Sequence, residues 1–191
     1  PLIVWTIEGA IESKVFDGLV VVTDDTDIAA VATKCGAEVP FMEPEELAGD
    51  TSYVADALRY TLHKLADNEN YVPKNFILLE PSSLGRTASQ IREVAEILKT
   101  RDDFDSLVGV SKVPGHFSYL KQLAIAPNGI VGRVGDNAPL KNLTHRNQDV
   151  AKSYFINSAI YGFRRKNLFE GDKNLWGEST YGYVMDGSTL V

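Results

Sequence analysis

The chain has 191 residues, of which 44% are hydrophobic and 24% charged, and its formal net charge is −7. This composition is typical of one globular domain and excludes a disordered or fibrous chain. The negative charge argues against a nucleic-acid binder, so we expect a small substrate. No apolar run reaches the roughly 20 residues that span a bilayer, and the single Cys35 excludes an internal disulfide. We expect a cytoplasmic protein with no membrane partner.

Hydrophobic periodicity predicts alternating helices and strands. The predicted helices cover residues 2–14, 26–35 and 88–99, with a long helix after residues 50–52 whose buried stripe is Val54, Leu58, Leu62 and Leu65. The predicted strands cover residues 19–22, 76–79, 106–111, 155–163 and 181–185. This alternation favours an α/β fold with a Rossmann-like, mainly parallel sheet and helices on both faces.

Local signals place several helix ends. Asp25 or Thr26 is suited to cap the second helix, and Gly36 supplies the left-handed residue that often follows a helix. Residues 50–52 offer caps for the third helix, and Thr87 is placed to cap the fourth.

The strand at 76–79 is the most informative stretch. Its four apolar residues predict a buried strand of a parallel sheet, which Pro81 then stops. Ligands bind at the carboxyl ends of strands in open α/β sheets, so we expect the working groups in the loop that follows.

Residues 113–150 differ in character, because proline, glycine and asparagine become frequent and short alternating runs flank the turn signal Asn128-Gly129. We interpret this segment as a small β-rich excursion within a single domain over 1–191. Such an arm does not bury itself alone, so it either folds over the site or packs on a second copy. We expect a homodimer.

Six segments in order resemble the acylneuraminate cytidylyltransferases, which make CMP-sialic acid and related compounds. They are PLIVWTI at 1–7, VVTDD at 21–25, GAEVPF at 36–41, EELAGDT at 45–51, LEPSSLGRT at 79–87 and NSAIY at 157–161. The family patterns for the last two are LQPTSPLRT and NGAIY. The resemblance covers nearly the whole chain and implies the nucleotide-diphospho-sugar transferase type of α/β fold.

The resemblance also implies a reaction. The anomeric hydroxyl of a sugar acid attacks the α-phosphate of CTP and pyrophosphate leaves, with assistance from Mg²⁺. Such catalysis depends on positioning and on neutralising phosphate charge. The family's phosphate loop falls before Pro1 and its metal-binding aspartates after Val191. We therefore expect a domain truncated at both ends, with Mg²⁺ ligands outside this chain and no activity in this segment alone; a degenerate homologue is the other interpretation.

For the sugar, the resemblance points to Glu80, Ser82, Ser83, Asn157, Tyr161 and Trp176. Glu80 stands where the family has glutamine, so we expect the acceptor sugar to differ from ordinary sialic acid. The alternative is that Glu80 forms an ion pair with a neighbouring cation. The two serines could instead cap a turn. Asn157 and Tyr161 have even spacing on one strand and are expected on one face. They, like Trp176, could instead be packing residues.

Residues that match the family's nucleotide pocket and charge clamps are weaker candidates. Asp50 and Ser52 fall in the cytidine pocket, although Asp50 is equally an ordinary helix cap, and Glu43 replaces an arginine there. Arg146 and Lys121 match cations directed at the substrate anions and are our predicted catalytic residues, with a solvated surface role as the alternative. Arg86 is expected to anchor the loop.

Two other functions stay open. One is a 3-deoxy-manno-octulosonate cytidylyltransferase, although the NSAIY and EPSS segments fit the sialic-type branch better. The other is a non-catalytic dimerising or nucleotide-binding module with the same fold.

Overall fold

The computed structural model describes residues 1–49, 53–136, 138–142, 151–170 and 174–185. The helices in this part are α1 (Leu2–Ser13), α2 (Thr26–Lys34), α3 (Val54–Glu69), α4 (Ala88–Thr100) and α5 (Arg165–Phe169). The strands are β1 (Asn75–Leu78), β2 (Ser106–Lys112), β3 (Leu123–Ile125), β4 (Val131–Arg133), β5 (Tyr154–Arg164) and β6 (Thr180–Met185). Within these ranges no helix is long and apolar enough to cross a membrane.

The main sheet has the strand order β1-β5-β2-β6. Strands β2 and β6 are parallel, whereas β5 runs antiparallel to both of its neighbours, β1 and β2. Three of these four strands therefore point the same way, and their carboxyl ends share one edge. The α/β prediction is confirmed, with the difference that β5 is reversed and inserted between β1 and β2.

Side-chain caps fix two helix starts as expected. The Asp25 carboxylate accepts from the backbone N–H groups of Asp27 (2.7 Å) and Ile28 (3.0 Å), which begins α2. Thr87 and Gln90 form a reciprocal capping box at the start of α4. These bonds satisfy amide groups that have no partner within the helix. Gly36, with φ of 94°, follows α2.

The main core lies between α4 and one face of the sheet. Ile91, Val94 and Leu98 of α4 pack with Leu107 of β2 and Ile160 of β5, and all are almost fully buried. A second, smaller cluster joins α1 and α2 through Ile7, Ala32 and Ala37. In α4 the buried residues recur at helical spacing, because polar residues occupy the opposite face of the helix.

Three expectations about elements need correction. Residues 19–22 form no strand of the sheet; Val20 makes an isolated parallel bridge to Glu38, because the segment 38–41 beside it is short and interrupted by proline. Strand β1 is half-buried rather than buried, since it is an edge of the described sheet. Val54, in the first turn of α3, is exposed, whereas Leu62 and Leu65 are buried.

The excursion contains the expected hairpin. Strands β3 and β4 pair antiparallel around the turn at Asn128-Gly129, where Gly129 has φ of 81°. The three residues of β3 are all exposed. This two-stranded sheet does not continue the main sheet.

Candidate functional site

The loop after β1 lies against β5. Leu78, the last residue of β1, pairs with Tyr161, so Glu80 and the serines stand at the carboxyl end of β1 as expected. Ser83 is buried, and its hydroxyl donates to the carbonyl oxygen of Ser158 at 3.2 Å. Ser82 is exposed and Glu80 half-buried. The exposed and half-buried side chains of this loop are therefore open to a ligand, while Ser83 fastens the loop to β5.

Arg86 holds the loop in place. Its guanidinium donates to the carbonyl oxygens of Glu80 (3.2 Å) and Ala159, and to the Thr6 hydroxyl of α1 (3.0 Å). Burial lowers the pKa of Arg86 to about 10, and the negative charge of Glu80 opposes that shift. The anchoring role expected for Arg86 agrees with these contacts. The same charge interaction favours the alternative in which Glu80 faces a neighbouring cation.

A bulge in β5 changes the directions of two predicted side chains. Two steps along β2, from Val108 to Val110, are matched by five steps along β5, from Ile156 to Tyr161. An odd number of steps against an even number reverses the alternation of side chains across the sheet. The expectation that Asn157 and Tyr161 share a face is wrong, because the bulge lies between them.

Asn157 is on the α4 side of the sheet. Its amide nitrogen donates to the Ser111 hydroxyl (3.0 Å), and its amide oxygen accepts from the backbone N–H of Ala159 (3.1 Å). Both ends of the amide thus have protein partners. The alternative of a satisfied polar group beside the core is the one these bonds support, and sugar contact by Asn157 stays a prediction.

Tyr161 and Trp176 are brought together on the other face. Their ring centroids are 5.9 Å apart in an edge-on arrangement, and Trp176 also meets Phe163 edge-on at 5.6 Å. The Tyr161 hydroxyl donates to Ser158 Oγ at 3.1 Å. The Ser106 hydroxyl donates to the Trp176 carbonyl oxygen at 2.7 Å, which holds the tryptophan's segment against β2. Packing is thus established for Trp176, and its contact with sugar stays a prediction.

The remaining candidates lie elsewhere. The backbone N–H of Glu43 donates to the Thr23 carbonyl oxygen (2.9 Å), and burial, followed by the charge of Asp24, raises the pKa of the Glu43 carboxyl. Lys121 ends a short 3-10 turn in the excursion and is half-buried. Asp50, Ser52 and Arg146 lie outside the described residues. The site that the structure assembles is therefore built from the loop after β1 and the bulge of β5.

Sequence reasoning missed one residue of this site. Ser158, at the centre of the bulge, has φ of 57°, a left-handed conformation that glycine adopts more easily than serine. The available signal was the substitution itself, because Ser158 stands where the family pattern NGAIY has glycine.

Among the described residues, no group of three or more His, Cys, Asp or Glu side chains is arranged to hold a metal ion. The Mg²⁺ that the family resemblance implies stays a prediction.

Comparison with known proteins adds to this geometry. Residues 1–182 match the family model described as Cytidylyltransferase. The chain belongs to the cytidylyltransferase family. Family membership confirms the resemblance found in the sequence.

Several curated relatives of this cytidylyltransferase chain are similar over nearly its full length. It is 26% identical to an N-acylneuraminate cytidylyltransferase of Escherichia coli O18:K1:H7, over 97% of this chain and 41% of the relative. It is 31% identical to the post-translational flagellin modification protein B of Campylobacter coli, over 98% of this chain and 76% of the relative. It is 30% identical to a CMP-N,N′-diacetyllegionaminic acid synthase of Legionella pneumophila, over 94% of this chain and 73% of the relative. The chain thus spans less than half of the first relative.

A solved structure confirms the fold. The chain is similar, with a TM-score of 0.64 and 14% identity, to a CMP:2-keto-3-deoxy-manno-octonic acid synthetase complexed with CTP. The likeness covers 98% of this chain and 80% of that one. At this level of identity the likeness shows the α/β nucleotidyltransferase fold and nothing about the sugar.

Proposed function

We propose that the whole protein transfers CMP from CTP to a sialic-acid-like nonulosonic sugar acid and releases pyrophosphate. The observation that carries this proposal is the 30% identity to a CMP-N,N′-diacetyllegionaminic acid synthase along 94% of the chain. The likeness to the octonic acid synthetase supports the fold and does not favour that sugar over a nonulosonic acid.

The loop after β1 and the bulge of β5 supply the sugar side of the proposed site. The hydroxyl groups of Ser82 and Ser158 can donate to or accept from sugar hydroxyls, whereas the Tyr161 oxygen, whose proton goes to Ser158, and the Glu80 carboxylate can only accept. A carboxylate here repels an anionic group of the substrate at close range. We therefore place the sugar's hydroxyls, rather than its carboxylate, next to Glu80.

Charge neutralisation around the triphosphate is assigned to Arg146 and Lys121 as a proposal, with Asp50, Ser52 and Glu43 beside the nucleotide. A divalent cation such as Mg²⁺ neutralises phosphate charge in this type of reaction. We propose it for the whole protein, with ligands outside the described residues.

The test is an activity screen of the complete protein. CTP and Mg²⁺ are mixed with sialic, legionaminic, pseudaminic or octulosonic acid, and both pyrophosphate and the CMP-sugar mass are measured. We expect turnover with at least one nine-carbon acid and none when UTP replaces CTP. Turnover with octulosonic acid alone would contradict the nonulosonic assignment, and absence of turnover with every acid would favour the non-catalytic module.

A second copy of the chain is part of the proposal. Seven exposed apolar side chains lie within the described part of the excursion, namely Phe117, Tyr119, Leu123, Ile125, Ile130, Val134 and Leu140. Many exposed apolar side chains in one short segment are typical of an interaction surface, and an isolated two-stranded hairpin is marginally stable in water. Burial of this hairpin on a second copy would cover the apolar side chains and stabilise the hairpin.

We also propose a cytoplasmic location, where Cys35, a free cysteine, stays reduced.

A further inference from the structure

Ser158 has a backbone conformation that serine rarely adopts. The described residues contain three non-glycine residues with positive φ, Lys14, Asn70 and Ser158. Lys14 and Asn70 directly follow helices α1 and α3, where a left-handed residue is ordinary. Ser158 instead lies within strand β5, where no helix end explains it.

The neighbours of Ser158 hold this conformation from several sides. Ser83 donates to its carbonyl oxygen, and Arg86 donates to the next carbonyl oxygen, that of Ala159. Asn157 accepts from the Ala159 N–H, which closes the bulge, while Tyr161 donates to Ser158 Oγ. An unfavourable conformation that its surroundings over-determine is found mostly at functional sites. The outlier therefore points to a function for this side chain.

We propose that the Ser158 hydroxyl donates a hydrogen bond to an oxygen of the acidic sugar and helps to set which sugar is accepted. Ser158 Oγ already accepts the proton of Tyr161, and its own proton has no acceptor in the part of the chain that the structure describes. The side chain is half-exposed and stands beside the loop that carries Glu80 and Ser82. Glycine at this position has no side chain with which to make the bond. The inference rests on the proposed function.

Two substitutions separate the hydroxyl from the backbone. Ser158→Ala removes the hydroxyl and keeps the strained conformation, whereas Ser158→Gly removes the hydroxyl and relieves the strain. Lys14→Gly is the matched control, because it relieves a positive φ at the end of α1 without touching the loop after β1 or the bulge. Calorimetry on the complete protein measures binding of CTP and of the sugar acid that the wild type turns over, and urea titration measures unfolding midpoints.

We expect both Ser158 variants to bind the sugar acid about tenfold more weakly, the cost of one hydrogen bond to a polar or charged ligand, with CTP binding unchanged. The urea midpoint should rise in Ser158→Gly and Lys14→Gly but not in Ser158→Ala. Sugar affinity equal to wild type in both Ser158 variants overturns the inference and leaves the proposed function standing. So does a loss in the glycine variant alone, which assigns the effect to the backbone. A wild type that binds no sugar acid overturns the proposed function and this inference together.

Discussion

Arg86 is the residue on which the loop after β1 most depends. It donates to carbonyl oxygens from the loop and from β5 and to a hydroxyl of α1, so one side chain joins three segments distant in sequence. Two of these three acceptors are backbone groups, which lose a donor if Arg86 is removed. Loss of a donor leaves a part-buried acceptor without compensation for its lost hydration. The side chain is therefore structural first, and it affects the site through the loop.

Arg86→Ala is expected to lower the free energy of unfolding by about 3 kcal/mol, since unsatisfied buried acceptors each cost about 1–3 kcal/mol. Urea titration followed by circular dichroism measures the change. Arg92→Ala is the matched control, because Arg92 is exposed on α4 and makes one long bond to the Glu12 carbonyl oxygen (3.3 Å); it should cost about 0.5 kcal/mol or less. If the free energy of unfolding falls equally in the two variants, the buried contacts of Arg86 contribute no more to stability than the exposed contact of Arg92.

At the scale of elements, the bulge of β5 depends on a glycine in the neighbouring strand. A Cβ atom at Gly109 would lie 2.8 Å from Asn157 Oδ1 and 2.9 Å from Met185 Sδ. Gly109→Ala is therefore expected to destabilise the protein by about 2 kcal/mol through overpacking. The same substitution at Gly9, inside α1, where the new Cβ would have no atom from another part of the fold within 4 Å, should stabilise by about 1 kcal/mol through helix propensity. Thermal unfolding measures the change in stability of each variant. If the two changes have the same sign, the packing explanation is contradicted.

The elements differ in how far the sequence predicts them. Helix α4 was predictable because its cap, its apolar stripe and its polar face are all local signals that agree. The directions of Asn157 and Tyr161 were not predictable from spacing, because the bulge depends on contacts with Ser83, Ser111 and Arg86 that are distant in sequence. Likewise, the predicted strand at residues 19–22 did not form, because Val20 has only a short segment at Glu38 to pair with. The β-branched residues of 19–22 do not show how long their partner is.

At the scale of the whole molecule, the loop after β1 and the excursion lie at one edge of the main sheet. The carboxyl ends of β1, β2 and β6 and the amino end of β5 lie at this edge. The loop after β1 and the excursion after β2 both begin there. The sequence motifs identified the family because six of them keep their order along the chain. They did not identify which residues face a ligand, since that depends on register and on bonds across the sheet.

The apolar surface of the excursion leads to a prediction about assembly. Ile125 and Ile130 flank the hairpin turn and are 74% and 66% exposed, and Ile125 pairs with Val131 across the hairpin. If this surface packs on a second copy, two carboxylates placed there must lose hydration without gaining a partner. The double variant Ile125→Glu, Ile130→Glu should therefore be monomeric at micromolar concentration, whereas we expect the wild type to scatter light with twice the mass of one chain.

Val72→Glu is the control for added charge, because Val72 is also an exposed apolar residue but lies outside the excursion, between α3 and β1. It should leave the dimer intact, and circular dichroism should show that all three proteins are folded. A monomeric wild type, or a double variant that remains dimeric, would contradict an interface at the hairpin. In the second case the dimer would have to form through another surface, and the exposed hairpin would need a different partner.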